Sequence, residues 1–139
     1  MDDCVFCLIL AGELPASFVH EGPDVVAFMD IQPATPGHLL VIPRDHHADL
    51  SDVRPDIAAE MMIVGQRLGA AMRETTLRVD GINLFYADGE PAGQEVFHAH
   101  LHVIPRWDGD GFLIQPTYGE LPGRSELDRN AGLIREADG

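Results

Sequence analysis

Histidines stand at every second position in the segment Phe97-His98-Ala99-His100-Leu101-His102-Val103-Ile104-Pro105-Arg106. Imidazole can attack phosphorus, move a proton near neutral pH or ligate a metal, and its neighbours decide which. Successive side chains on a strand point to opposite faces. The alternation therefore predicts Phe97, Ala99, Leu101 and Val103 against a core. His98, His100 and His102 would form one row on the other face, with Cα atoms roughly 6.5–7 Å apart. A single histidine there would be an ordinary hydrogen-bonded residue. Three with an apolar back point to a metal, a phosphate, or a division of the two jobs.

Other residues with chemical capacity accompany this row. Cys4-Val5-Phe6-Cys7 has the spacing of half a zinc site. A thioredoxin-type use would want a strand before the pair, and only three residues precede Cys4. Asp30 ends an apolar run at a loop, where a carboxylate serves a ligand or stabilises the turn. Ala92-Gly93-Gln94 lies in a glycine-containing loop that could present N–H groups to a phosphate oxygen or serve only as a connection. All nine basic residues are arginine, which excludes a Schiff-base lysine and a P-loop lysine. Ser17, Ser51 and Ser125 are not in a G-x-S-x-G setting. An anionic substrate is left with histidine, backbone N–H groups and Arg106.

The elements that must position these groups are legible from pattern. Short apolar runs at 17–21, 25–30, 38–44 and 81–86, bounded by Pro and Gly, read as strands before the histidine strand. Their connections are mostly too short for helical crossovers, so antiparallel pairing is expected. Pro55 suits the first turn of one long helix to about residue 76, with Ile57, Met61, Val64, Leu68 and Ala71 on one stripe. Met61, Met62 and Met72 read as packing or a subunit contact, and Gly65 and Gly69 as points of close approach. A short helix is expected at Ser125–Ala137, with Leu127, Ala131 and Ile134 on one face. The reading is an α+β domain spanning 1–139, with a core at about 4–110 and a tail at 111–139.

Charge and composition exclude more than they identify. A formal net charge of −14 opposes a nucleic-acid backbone and an anionic membrane surface. No apolar run approaches the eighteen or so residues needed to span a bilayer. Met1-Asp2-Asp3-Cys4 lacks the pattern of a secretory leader. The expectation is a cytoplasmic protein with reduced thiols.

These motifs together resemble the histidine triad (HIT) family, which handles nucleotides. The resemblance rests on H-x-H-x-H, on Phe28-Met29-Asp30-Ile31, on Gly37-His38 followed by Leu39-Leu40-Val41-Ile42-Pro43-Arg44, and on Ala92-Gly93-Gln94. It covers residues 4 to about 106. It implies an antiparallel sheet of about five strands with one main helix, and a homodimer joining two sheets into a ten-stranded one. It implies that His100 attacks the α-phosphorus of a purine nucleotide, giving a nucleotidyl-histidine, with His102 at the phosphate oxygens and leaving group and His38 beside them. Asp30 would accept from the ribose hydroxyls, Phe6, Ile9, Phe28 and Ile31 would form the base slot, and Gln94 would fall in the phosphate loop. Many bacterial members also imply a structural zinc, here on Cys4, Cys7, His46 and His98, with His47 as the substitute for His46.

Two positions depart from the members most similar to mammalian Hint, which carry asparagine where this chain has Ala87 and serine where it has Glu95. The departures put the leaving group in doubt, between an amine and a dinucleoside polyphosphate type. Two rivals stand beside the covalent hydrolase. One is a zinc-water metallohydrolase using all three histidines. The other is a nucleotide-binding regulatory module with vestigial catalysis.

Overall fold

The computed structural model describes residues 3–139; the leader reading of Met1 and Asp2 lies outside the described residues. In chain order the elements are α1 (Val5–Leu10), β1 (Phe18–Glu21), β2 (Val25–Met29), β3 (Leu39–Pro43), α2 (Pro55–Met72), β4 (Gly81–Tyr86), β5 (Leu101–Arg106) and α3 (Arg124–Asp138). One-turn 3-10 segments lie at 50–52 and 90–92. The strands form one sheet in the order β1-β2-β3-β5-β4, every pair antiparallel. This is the expected five-stranded α+β architecture. No helix among the described residues is long and apolar enough to cross a membrane.

The pleat divides the sheet into two unlike faces. Val25, Ala27, Leu39, Val41, Leu101 and Val103 point one way and meet Met61, Val64, Leu68 and Met72 of α2. Burying side chains of this size stabilises by about 1.5–3 kcal/mol each. Close approach is built in at Gly65, where an added Cβ would lie 2.9 Å from Leu101 Cδ2. The helix stops at Met72, earlier than residue 76, because Thr75 Oγ1 donates to the Met72 carbonyl at 2.6 Å and accepts from Leu77 N–H at 3.1 Å. Such local hydroxyl bonds compete with another helical turn. The stripe consequently ends on Met72, and Ala71 is exposed. Met62 is exposed as well.

On the opposite face, Val26, Phe28, Leu40 and Ile42 are covered at one end by Phe6 and Ile9 of α1. The rest of this face is open and carries the histidines. Its strand is shorter than the alternation predicts: β5 begins at Leu101, where pairing with Val41 starts. Residues upstream are tied instead to the 44–48 segment, with Ala99 N–H donating to the His47 carbonyl at 2.7 Å. Ala99 still packs in the core, but Phe97, expected there, is 48% exposed. Alternation fails at Phe97 because the ladder no longer constrains it. Helix α3 matches the expected tail helix, with Leu127 and Ile134 exposed and no residue buried.

Candidate nucleotide and metal sites

His98 and His102 serve different sites although four residues apart. His98 is fully buried and faces Cys4, Cys7 and His46, the four ligand atoms lying within 4.8 Å of one another. Its Nδ1 is 3.6 Å from each sulphur, and Cys7 Sγ is 3.3 Å from His46 Nδ1. A tetrahedral zinc with ordinary bond lengths sets sulphur and nitrogen about 3.6 Å apart, so this donor set fits the ion. His98 Nε2–H donates to the Pro43 carbonyl at 2.8 Å, which fixes the tautomer and turns the Nδ1 lone pair toward the thiols. His47, the expected substitute, is not in this cluster. Cys4 also caps α1, accepting from Cys7 N–H at 3.4 Å, so the same pair that would hold a metal starts the helix.

The other two triad histidines line a cavity of about 760 Å³, in the upper half of the range for small-molecule sites, roughly 300–1,000 Å³. His100 Nδ1–H donates to the His98 carbonyl at 2.7 Å, which leaves the Nε2 lone pair as the nucleophilic atom. Ala34 N–H donates to His38 Nδ1 at 3.0 Å, so the proton of neutral His38 sits on Nε2. That Nε2 lies 2.9 Å from His102 Nδ1 and donates to it. His102 then carries its proton on Nε2, which has no protein partner among the described residues. Tautomer thus propagates from a backbone amide to the cavity.

Burial holds all three imidazoles neutral. Desolvation pushes His38 and His100 below the ordinary histidine value, and Asp30 opposes it in both. His102 is pushed down to about 4 by burial and by the neighbouring His100 and His38. Asp30 Oδ2 lies 3.5 Å from His38 Nε2, and Oδ1 accepts from Gln32 N–H at 2.8 Å. The carboxylate therefore holds its own turn, one of the two sequence expectations, and it also lines the cavity. Asp30, His38 and His102 converge within 4.8 Å. Yet the 2.9 Å between the two histidines is a hydrogen bond, shorter than the roughly 3.3 Å between imidazoles on one tetrahedral zinc.

Phe6, Ile9, Phe28 and Ile31, the residues expected to form a base slot, all line the cavity, Ile31 at the rim with 93% exposure. Gln94 does not line it. Its amide donates to the Ala48 and Val96 carbonyls at 2.9 and 3.0 Å and accepts from Gly89 N–H at 2.8 Å. It holds the loop, whose turn at Gly93 (φ +98°) suits glycine. Glu95 lines the cavity and Ala87 is buried behind the wall. Arg106, considered for anion binding, is occupied by Asp110, Asn83 and the Phe112 carbonyl. The three-histidine metal reading fails on geometry, because His98 belongs to the cysteine cluster and His100 to neither cluster.

Sequence reasoning missed Phe85, Ile104 and Phe112 of the cavity wall. Phe85 and Ile104 were recoverable, since Phe85 pairs with His102 and Ile104 is two residues further along the same strand. Nothing in the sequence singles out Phe112.

The chain matches the HIT domain model over residues 11–109. A HIT-like protein of Mycobacterium tuberculosis strain H37Rv is 47% identical over 136 residues, covering 96% of this chain and 92% of its own. The adenosine 5′-monophosphoramidase of Saccharomyces cerevisiae is 38% identical over 111 residues, 80% of this chain and 67% of the yeast protein. The crystal structure of a zinc-bound histidine triad family protein from Mycobacterium smegmatis superposes with a TM-score of 0.77 at 42% identity, covering 99% of this chain and 97% of that one.

Proposed function

The chain belongs to the HIT family, and from that membership we propose a nucleotide hydrolase that cleaves at the α-phosphate of an AMP-containing substrate through a nucleotidyl-His100 intermediate. The observation that carries this reading is the bond from His100 Nδ1 to the His98 carbonyl, which aims a neutral Nε2 into the cavity. The yeast relative's name supports a nucleoside phosphoramidate type of substrate.

In the first step His100 Nε2 bonds to the α-phosphorus and the bond to the leaving atom breaks. The electron pair stays on the leaving atom, which takes a proton from solvent while His102 Nε2–H donates a hydrogen bond to it. Water then attacks the phosphorus, the His100–phosphorus pair returns to the ring, and the water proton goes to solvent. The sum is substrate plus water giving AMP and the free leaving group. Asp30 receives the ribose hydroxyls, and Phe6, Ile9, Phe28 and Ile31 hold the base. Gln94 supports the phosphate loop from behind. Zinc on Cys4, Cys7, His46 and His98 would be structural, with all four positions filled by protein and none left for water. The reading includes a cytoplasmic homodimer, supported by the resemblance and by β4, which pairs with a strand on one side only.

The deciding experiment is intact-protein mass after millisecond mixing with adenosine 5′-phosphoramidate or diadenosine tetraphosphate, quenched in alkali. An adenylyl adduct is expected in the wild-type protein and absent from His100→Ala. Turnover without an adduct, or an adduct that survives the substitution, would sink the covalent reading.

A further inference from the structure

Beyond His102 the open face of the sheet carries Phe85 on β4 and Ile104 on β5. The turn that follows β5 brings Phe112 to the same end of the cavity. What holds that turn is Arg106. Its Nε and Nη2 donate to the two Asp110 oxygens at 2.6 and 3.1 Å, Nη1 donates to Asn83 Oδ1 at 2.5 Å, and Nη2 also donates to the Phe112 carbonyl. The guanidinium lies 4.7 Å from the Phe112 ring centroid. Asp110 in turn accepts from the backbone N–H groups of Trp107 and Phe112, each at 3.1 Å. A rigid planar fork with its donors spent this way fixes a loop and leaves little for a substrate anion.

Position along the cavity gives this end a role. Aromatic rings run in the order Phe6, His100, His102, Phe85, with centroid separations of 5.2, 4.9 and 5.7 Å. With the base beside Phe6 and the α-phosphorus at His100, in-line displacement sends the leaving group to the far side of the phosphorus. His102, which donates to the leaving atom, and then Phe85 follow His100 along the row, so the leaving group lies toward the Phe85 end. No arginine lines the cavity, while Asp30 and Glu95 do. A polyphosphate leaving group would bring several negative charges to a wall that already carries two carboxylates. An amine with an apolar substituent would bring surface that Phe85, Ile104 and Phe112 can cover.

We propose that the Arg106–Asp110 clamp positions Phe112 to build a leaving-group subsite, with Phe85 and Ile104, for the apolar part of an amine. The inference rests on the hydrolase reading and adds a specificity to it. Arg106 and Asp110 are positioning residues; Phe112 touches the leaving group.

The test measures kcat and KM for adenosine 5′-phosphoramidate, its N-benzyl derivative and diadenosine tetraphosphate. Wild-type protein is expected to favour the benzyl compound over the parent by about tenfold in kcat/KM, the scale on which an apolar pocket discriminates. Diadenosine tetraphosphate is expected to be the slowest. Phe112→Ala and Asp110→Ala should each bring the benzyl-to-parent ratio toward one, mainly through KM, and Phe112→Leu should retain it. Phe112→Ala stands alone if Asp110→Ala does not fold. A wild-type ratio near one, a preference for the tetraphosphate, or an equal loss on both amidates would overturn the subsite. Calorimetry on His100→Ala separates the two readings. Tighter benzyl binding without wild-type turnover sinks the hydrolase and keeps the subsite, whereas equal binding of the two amidates sinks the subsite.

Discussion

The cavity has two walls held by different physics. At the end proposed for the base, α1 is pinned through Cys4 and Cys7 to His46 and His98, so a donor set fit for a metal fixes Phe6 and Ile9 over the sheet. At the other end, a guanidinium and a carboxylate four residues apart fix Phe112. The first wall joins segments more than ninety residues apart in sequence, as in the Cys4–His98 contact. The second closes a local turn. Long closures restrain more of the unfolded chain than short ones, so the metal wall should dominate stability and the clamp should dominate specificity. The difference teaches that a site's two ends can be separable by mutation although they share one cavity.

The sharpest way to break that contrast is Cys7→Ser. Loss of a metal site belongs to the class of substitutions that cost more than about 4 kcal/mol. Chemical denaturation should show a loss on that scale relative to the zinc-loaded protein, together with a raised KM for every adenylate. A small loss would mean that the cysteines contribute little to the base wall.

Gln94→Ala acts between the two walls. Removing the side chain orphans the Gly89 N–H and the Ala48 and Val96 carbonyls. The expected cost is about 1–3 kcal/mol by urea unfolding, from partners left unpaired under a 3%-exposed residue. A neutral result would show that the loop holds without its amide.

His102 sits where the walls meet, and its depressed pKa gives a pH signature. Between about 4 and 6.5 the unfolded chain binds the proton and the folded chain does not. Stability therefore rises with pH through that window and is lost as pH falls. After discounting for partial exposure, this group should contribute on the order of 1 kcal/mol, seen as a weaker acid dependence in His102→Gln. Ring NMR should place the His102 midpoint near 4. A midpoint at the ordinary value would mean that burial and the neighbouring His100 and His38 do not depress His102.

The smallest stability effect is expected for Asp110→Asn, whose thermal midpoint should move less than that of Cys7→Ser. Substrate preference should move more. A reversed order would collapse the distinction between the two walls.

Much of this could be read before any coordinates. The strand runs, their antiparallel pairing and the α2 stripe are written in period and spacing, whereas grouping Cys4 and Cys7 with His46 and His98 came only from the family resemblance. Departures came where a local rule met a tertiary limit: Phe97 left the core when the ladder ended, and Thr75 stopped α2 before residue 76. Gln94 was expected to face a phosphate from its loop, but packing turned its amide inward as scaffold. Arg106 looked available for an anion until Asp110, Asn83 and Phe112 used its donors.

By itself the sequence determined the chemistry on offer, because residue type and a two-residue period place imidazoles on one face wherever a strand forms. Only tertiary structure decided how that row was divided. His98 turned to the thiols because the Pro43 carbonyl fixes its ring, His102 took its tautomer from Ala34 through His38, and Phe112 reached the cavity through a folded-back turn. Each outcome depends on a hydrogen bond between segments distant along the chain, or on a turn whose closure no periodicity encodes.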